Sequence, residues 1–232
     1  MYMKALILAV FLLPVVCVAQ SKFYIEGIVG TYSMKGMKEF QNELNNDIVS
    51  SGFHTKVLAD FPMSMQVTAG FDKILGDKYA IGGYLNYAFT KGHIHYGDYS
   101  GELYNDQNVS RILLGCRAAT ILAGGFEAYG KVGFNYTMLD LDFVTNIYGG
   151  PSQRDVLEFY STGINIEPGI SWTYSYKKLL LSLQAGYEIS LQGKTIFKEN
   201  NEAHLLNDAG GKVIINWSGM RLGLGLAYKL GQ

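Results

Sequence analysis

The sequence predicts an all-β protein, an eight-stranded antiparallel up-and-down β-barrel that spans a membrane. Eight stretches of the chain alternate with a period of two, which indicates strands because successive side chains point to opposite faces. In each stretch the apolar residues share one parity, and the charged residues fall on the other. After residue 19 no stretch reaches the roughly eighteen consecutive apolar residues of a membrane helix, so a closed barrel is the remaining way to cross.

The last stretch, residues 218–230, shows this pattern most clearly. One face is wholly apolar and consists of Met220, Leu222, Leu224, Leu226 and Tyr228. The other face is small or charged and consists of Arg221, Gly223, Gly225, Ala227 and Lys229. An apolar face opposite small and charged residues is typical of a barrel with a lipid-facing exterior and a narrow polar interior.

The eight predicted strands are separated by connections that alternate in length. The strands cover 23–31, 61–71, 79–90, 110–120, 126–138, 163–176, 179–189 and 218–230, the last extended back towards Val213. Short connections (72–78, 121–125, 176–178) alternate with long ones (32–60, 91–109, 139–162, 191–212), which predicts periplasmic turns and extracellular loops. Aromatic residues at the strand ends, including Phe61, predict two outer belts. Pro168 predicts a bulge or a local bend.

The first long loop contains one helical pattern. Met37, Phe40, Leu44 and Ile48 are three or four residues apart, which predicts a short amphipathic helix. Two placements remain open at this point. The apolar stripe packs on the barrel mouth as part of a surface helix, or the helix descends into the lumen as a plug or binds a partner.

The N-terminus predicts a secretory signal peptide over residues 1–19, followed by a barrel domain over 20–232. Lys4 precedes an apolar segment, and Cys17 and Ala19 are small residues at the −3 and −1 positions of a cleavage site. The alternative, a lipidated Cys17, is disfavoured because Val16 stands where a small residue is needed. Only Cys116 follows the signal peptide, which excludes an internal disulfide.

Charges on the inward face predict a network of ion pairs that fills the lumen. Over the same strand cores the lipid face carries no charge. Arg117 and Arg221 are the predicted centres because a guanidinium can serve several carboxylates. Asp72 and Lys229, at the periplasmic end, are predicted to be solvated. The predicted structural network consists of Glu26, Arg111, Arg117, Glu127, Lys131, Glu167, Glu188 and Arg221.

The signal peptide, the eight alternating stretches and the ending GLGLAYKL resemble the small outer-membrane β-barrel domain family of Gram-negative bacteria. This family is porin-like and similar in architecture to OmpA- and OmpX-type eight-stranded barrels. The resemblance implies a location in the cell outer membrane, with membrane lipid and the barrel-assembly machinery as partners. It implies no single activity. The chain departs from many such barrels in lacking a terminal aromatic residue, since Tyr228 is its last.

The predicted function is that of a non-enzymatic barrel that anchors and presents its long loops for an extracellular ligand or for envelope stability. The alternatives are a narrow, low-conductance channel and a lipid-modifying enzyme that uses His93 or His95 with Ser100 and Asp98. No cofactor is predicted. The His93-x-His95 pair supplies only two ligands, which is weak support for a metal site. A formal net charge of −1 and the lack of a basic cluster predict no nucleic-acid partner.

Overall fold

The computed structural model describes residues 20–31, 34–76 and 78–231, so the predicted signal peptide lies outside the described residues. None of the helices in this part of the chain has the length and apolar character needed to cross a bilayer. In chain order the elements are β1 (Ser21–Gly30), α1 (Lys35–Ser50), β2 (Thr55–Ala59), β3 (Ser64–Leu75), β4 (Tyr79–Gly97), β5 (Gly101–Ile121), β6 (Phe126–Ile147), β7 (Ser152–Tyr176), β8 (Leu179–Gln192), β9 (Ile196–Phe197) and β10 (Gly219–Leu230).

Eight of these strands close into a ring in the order β1-β3-β4-β5-β6-β7-β8-β10. Every neighbouring pair is antiparallel, and β10 closes the ring by pairing with β1 along its length, from Ser21↔Leu230 to Gly30↔Arg221. A closed ring leaves no strand edge inside a bilayer, where an unpaired backbone group is costly. The predicted fold class, an eight-stranded antiparallel barrel with one short helix in the first long connection, is confirmed.

The two faces of the ring differ in the way that the alternation predicts. On β10, Leu224 is 60% exposed on the outer face, whereas Arg221 on the inner face is 1% exposed. The outer faces of the other ring strands carry similarly exposed aliphatic and aromatic side chains, and we call this band the apolar belt. Such a belt around a closed ring is the exterior of a barrel that crosses a lipid bilayer.

Four neighbouring strands, β4 to β7, extend well beyond the belt and form what we call the tall wall. The predicted loops 91–109 and 139–162 are therefore largely strand, which corrects the boundaries derived from the sequence. The boundaries differ because, above the belt, the outer face of the wall becomes polar and the inner face becomes apolar. The outward row Phe89–Ser110–Met138–Tyr160 is followed by the outward row Lys91–Asn108–Asp140–Glu158, while the inward residues above it become apolar.

The mouth of the barrel holds an apolar cluster, the mouth core, packed between the tall wall and two other segments. One segment is α1 with the residue before it, and the other is residues 205–217. The helix lies close enough to the second segment that a Cβ on Gly36 would meet the Ile214 carbonyl oxygen at 2.8 Å. The mouth core consists of Met34, Met37, Phe61, Ala88, Val109, Leu139, Leu141, Phe159, Leu205, Val213, Ile215 and Trp217.

The structure corrects three predictions made from the sequence, two of them through the mouth core. Phe61 is not an outer-rim aromatic: it lies outside β3 and is buried in the mouth core, as an apolar side chain above the membrane should be. β10 does not extend back to Val213, because residues 213–217 cross the mouth instead of joining the ring. Pro168 produces no bulge. Pairing with β8 pauses after Ile166 and resumes at Gly169 in an unchanged register.

Replacement of Leu183 by arginine tests the lipid-facing register. Leu183 pairs with Leu224 near the middle of the belt, so an arginine there should lower the free energy of unfolding in lipid vesicles by about 2–4 kcal/mol. Leu191→Arg, at the mouth end of the same face, should cost only about 0–1 kcal/mol. Urea unfolding of both variants measures the difference. Equal losses at the two positions would contradict the register.

Candidate functional site

The lumen is the first candidate site, and the structure places all eight predicted charged residues inside it and buried. Two further charges join them, because Asp72 is fully buried and Lys22 is nearly so. Asp72 is therefore not solvated as expected, whereas Lys229 is half-buried at the end of β10. Lys22 was missed because the first predicted strand began at Phe23, although Lys22 shares its parity with Glu26. With these two residues, the part of the lumen that the structure describes holds five acidic and five basic buried side chains.

Near the end of the lumen opposite the mouth, Arg117 bridges two carboxylates. Its guanidinium donates to Asp72 Oδ2 at 2.5 Å and to Glu127 Oε2 at 2.7 Å. The Lys22 ammonium donates to Glu127 Oε1 at 3.0 Å and lies 3.6 Å from Asp72 Oδ2. Two cations and two carboxylates thus form one closed, electrically neutral group.

Gly82 makes the Arg117–Asp72 contact geometrically feasible. Asp72 and Arg117 lie on β3 and β5, and Gly82 of β4 is paired with both residues. A Cβ at this position would lie 2.4 Å from Asp72 Oδ1 and 1.9 Å from the Phe71 carbonyl oxygen. The carboxylate therefore crosses β4 over a residue that has no side chain.

Higher in the lumen, Lys131 and Glu188 organise two further groups. The Lys131 ammonium donates to Glu26 Oε2 at 3.1 Å and lies 3.6 Å from Glu167 Oε1, which also accepts the Tyr129 hydroxyl. Glu188 accepts hydrogen bonds from both Arg111 and Arg221. Arg221 contacts this one carboxylate, and its other donors reach backbone carbonyls, including that of Trp217 at 2.5 Å. Glu188, rather than Arg221, is the centre of the upper group.

Trp217 separates the charged lumen from the mouth core. Its ring lies over the Arg111 guanidinium at 4.8 Å, and its Nε1 donates to Thr137 Oγ1 at 3.2 Å. Below the ring, the cavities among the charged residues measure about 10 and 20 Å³, roughly the space of one water molecule each. In the described part of the chain the lumen is filled by side chains rather than open.

The outer face of the tall wall is the second candidate site, because it carries His93 and His95. The Asp106 carboxylate contacts His93 Nδ1, and the Tyr104 ring stacks on His95 at 4.2 Å. Ser100 does not join them, because its hydroxyl donates to Asp98 at 2.6 Å within a turn. The contacts of these histidines in the described residues include no serine or cysteine nucleophile, and no group of three or more metal-ligating side chains occurs there.

Charge pairs also hold the edge of this wall together. Glu102 accepts hydrogen bonds from Lys56 at 2.7 Å and from the Tyr104 hydroxyl, which lower the pKa of its carboxyl to about 2. Lys56 belongs to β2, the short strand that pairs with the end of β4. The pair therefore ties this edge strand to β5 across β4. Such side chains suit a water-exposed wall.

A closed ring of eight antiparallel strands, an apolar belt and a charge-filled lumen together define the class of small outer-membrane β-barrels. The protein has the fold of this class, and the outer-membrane location predicted from the sequence follows from the same features. The class assignment rests on the ring, the belt and the lumen.

No known protein family and no curated protein matches the sequence. Among solved structures, the chain is similar to Ail, the attachment invasion locus protein of Yersinia pestis, with 8% identity, coverage of 92% of this chain and 100% of that chain, and a TM-score of 0.44. The outer membrane protein OprG from Pseudomonas aeruginosa gives 16% identity, coverage of 92% and 97%, and a TM-score of 0.46. A major outer membrane protein from Thermus thermophilus gives 12% identity, coverage of 90% and 99%, and a TM-score of 0.45.

Replacement of Arg117 by methionine tests the contribution of the lower charge group to stability. The change leaves Asp72 and Glu127 with only Lys22 between them, and the loss of one partner of a buried ion pair costs about 3–5 kcal/mol. Urea unfolding in vesicles measures the loss. The matched control is Arg154→Met, which removes the exposed partner of Asp142 and should leave stability close to wild type. Similar stability of the two variants would contradict the role assigned to Arg117.

Proposed function

We propose that this protein is a closed, non-enzymatic anchor of the outer membrane. It presents to the outside the tall wall and the two segments that pack on it at the mouth, α1 and residues 205–217, which we call the mouth segments. Residues 20–232 form the mature barrel once a signal peptide, residues 1–19, is removed. Its partners are outer-membrane lipid, the barrel-assembly machinery during insertion, and an extracellular ligand. The tall wall and the mouth segments, rather than long flexible loops, supply the surface for that ligand.

One observation carries the proposal: the lumen is blocked at two levels by different interactions. The mouth core seals the extracellular half with apolar side chains, and the charge groups fill the membrane half. Both blocks must open together before an ion can pass. This arrangement favours an anchor over the narrow channel that is the alternative.

The enzyme alternative has less support. A catalytic histidine needs a nucleophile or a substrate group within hydrogen-bonding reach and a partner that orients the ring. His93 has the orienting carboxylate of Asp106, but its other neighbouring ring is that of Tyr104. The pairing of His93 with Asp106 instead joins two adjacent strands of the tall wall, which is a structural role.

Planar-bilayer recording tests whether the lumen is closed. The wild-type protein should give no resolved conductance steps. The double variant Trp217→Ala, Arg111→Ala removes one large side chain from each block where the two meet. It should give brief conductance steps, because the charge groups around Arg117 and Lys131 still obstruct the lower lumen. The matched control is Tyr187→Ala, Arg154→Ala, which removes a lipid-facing ring and an exposed guanidinium. Like the wild type, it should give no conductance steps. Steady conductance of the wild-type barrel would support the channel instead.

Epitope insertion tests which end of the barrel faces outwards. The turn after Tyr148 lies at the tip of the tall wall, where Gly149 has a φ of +80° and no atom occupies the space of a Cβ. A tag inserted after Gly149 should bind antibody on intact cells. A tag between Lys177 and Lys178, in the short turn between β7 and β8, should bind only after the outer membrane is permeabilised. The reverse result would invert the proposed orientation.

A further inference from the structure

The segment between β8 and β10 carries two lysines that differ from the other basic residues on the extracellular side. Lys194 and Lys212 have no carboxylate within 4 Å among the described residues. The other six extracellular cations are all paired: Lys35 with Glu39, Lys38 with Asp60, Lys56 with Glu102, Lys91 with Asp106, Arg154 with Asp142 and Lys198 with Glu158. The two unpaired lysines are therefore an exception to a consistent pattern.

The two lysines are also close together in space. Three short extended segments lie side by side: Leu205 N donates to the Thr195 carbonyl at 3.0 Å, and Val213 N donates to the Leu205 carbonyl at 2.9 Å. Thr195, Leu205 and Val213 are buried towards the mouth. The alternate residues, Lys194, Ile196, His204, Leu206, Lys212 and Ile214, occupy the opposite face, which points away from the barrel axis.

His204 completes a cluster of three nitrogen groups on this face. Lys194 and Lys212 lie on neighbouring segments on either side of His204, and the nearby Lys194 amino group lowers the pKa of Lys212. Burial and the same two lysines lower the pKa of His204, whose Nδ1 is buried without a partner in the described residues. Like charges that face each other without a counter-charge are unfavourable, and an anion between them removes the repulsion.

The position of the cluster indicates which anion fits. The last apolar row of the belt, Phe89–Ser110–Met138–Tyr160, continues through Ile196 to His204 by strand pairing. The cluster thus lies where the belt ends and lipid headgroups begin. Leu206 (48% exposed) and Ile214 (43% exposed) add an apolar border on the same face. A phosphate on an amphiphile satisfies both the charge and the apolar surface.

We propose that Lys194, His204 and Lys212 bind the phosphate headgroup of a lipid in the outer leaflet, with Leu206 and Ile214 against the start of its acyl chain. The two ammonium groups contact the phosphate oxygens, and the imidazole donates a hydrogen bond. The site lies outside the barrel wall, so it does not depend on whether the lumen conducts. It makes one sector of the barrel perimeter selective for phosphate-bearing lipid.

Electron paramagnetic resonance of spin-labelled lipids tests the proposal. The full-length protein is reconstituted in phosphatidylcholine vesicles with a trace of labelled phosphatidic acid or labelled phosphatidylcholine. The wild type should immobilise phosphatidic acid preferentially. Lys194→Gln, Lys212→Gln should reduce this preference by about tenfold, because each lysine near a charged headgroup contributes to binding. The matched control is Lys91→Gln, Lys198→Gln, which removes two paired lysines just beyond the belt and should retain the preference.

Two further measurements separate loss of lipid binding from misfolding and from binding of free phosphate. Heat-modifiable migration on a gel shows that each variant is folded, so a lost preference cannot reflect misfolding. Inorganic phosphate up to about ten millimolar should not displace the lipid, because it lacks the apolar part. Displacement by free phosphate would overturn the assignment to a lipid. An unchanged preference in Lys194→Gln, Lys212→Gln, or an equal loss in the control, would overturn the site itself.

Discussion

Charge matching inside a narrow barrel is the constraint on which the rest of this structure depends. Eight strands enclose a space that side chains fill, and among the described residues ten of those side chains carry charge. An unpaired ion there would be far more costly than on a surface, so each carboxylate meets a cation. Residues without side chains, such as Gly82, are required where a carboxylate must cross a strand to reach its partner. The polar and small residues of the inner face are therefore parts of one arrangement.

The same strands meet two different solvents, and their faces exchange roles where the solvent changes. On β6, Phe134 and Tyr136 face lipid outside a polar lumen, while a few residues later Asp140 and Asp142 face water outside an apolar core. Backbone pairing continues without a break through this change, because the register is independent of which face is apolar. The half at the mouth thus has an apolar interior and a polar exterior, and the membrane half is built with the opposite polarity.

The sequence was sufficient for the ring and for the residues that line it, because a period of two assigns every strand residue to a face. It was not sufficient for the upper half of the tall wall. There the outer parity becomes polar at Lys91 and Asp140, so the alternation that indicates a lipid-facing strand ends although the strands continue. Nor could it assign partners: the contact of Arg117 with Asp72 depends on strand order and on Gly82 between them. Phe61 and Trp217 were beyond prediction because their burial depends on packing by distant segments.

The ion pairs of the lumen have a consequence for the order of assembly. Lys22 and Glu26 on β1 meet Glu127 and Lys131 on β6, in each case 105 residues away along the chain. During synthesis and insertion, β7, β8 and β10 must all follow β6 before the ring closes on β1 and the interior is enclosed. Until that moment the inner faces of the two halves carry unmatched charges, which keep the open intermediate hydrated. The interior therefore loses its bulk water only when the ring closes. A chain that lacks its last strands, or pairs them in the wrong register, keeps a hydrated interior.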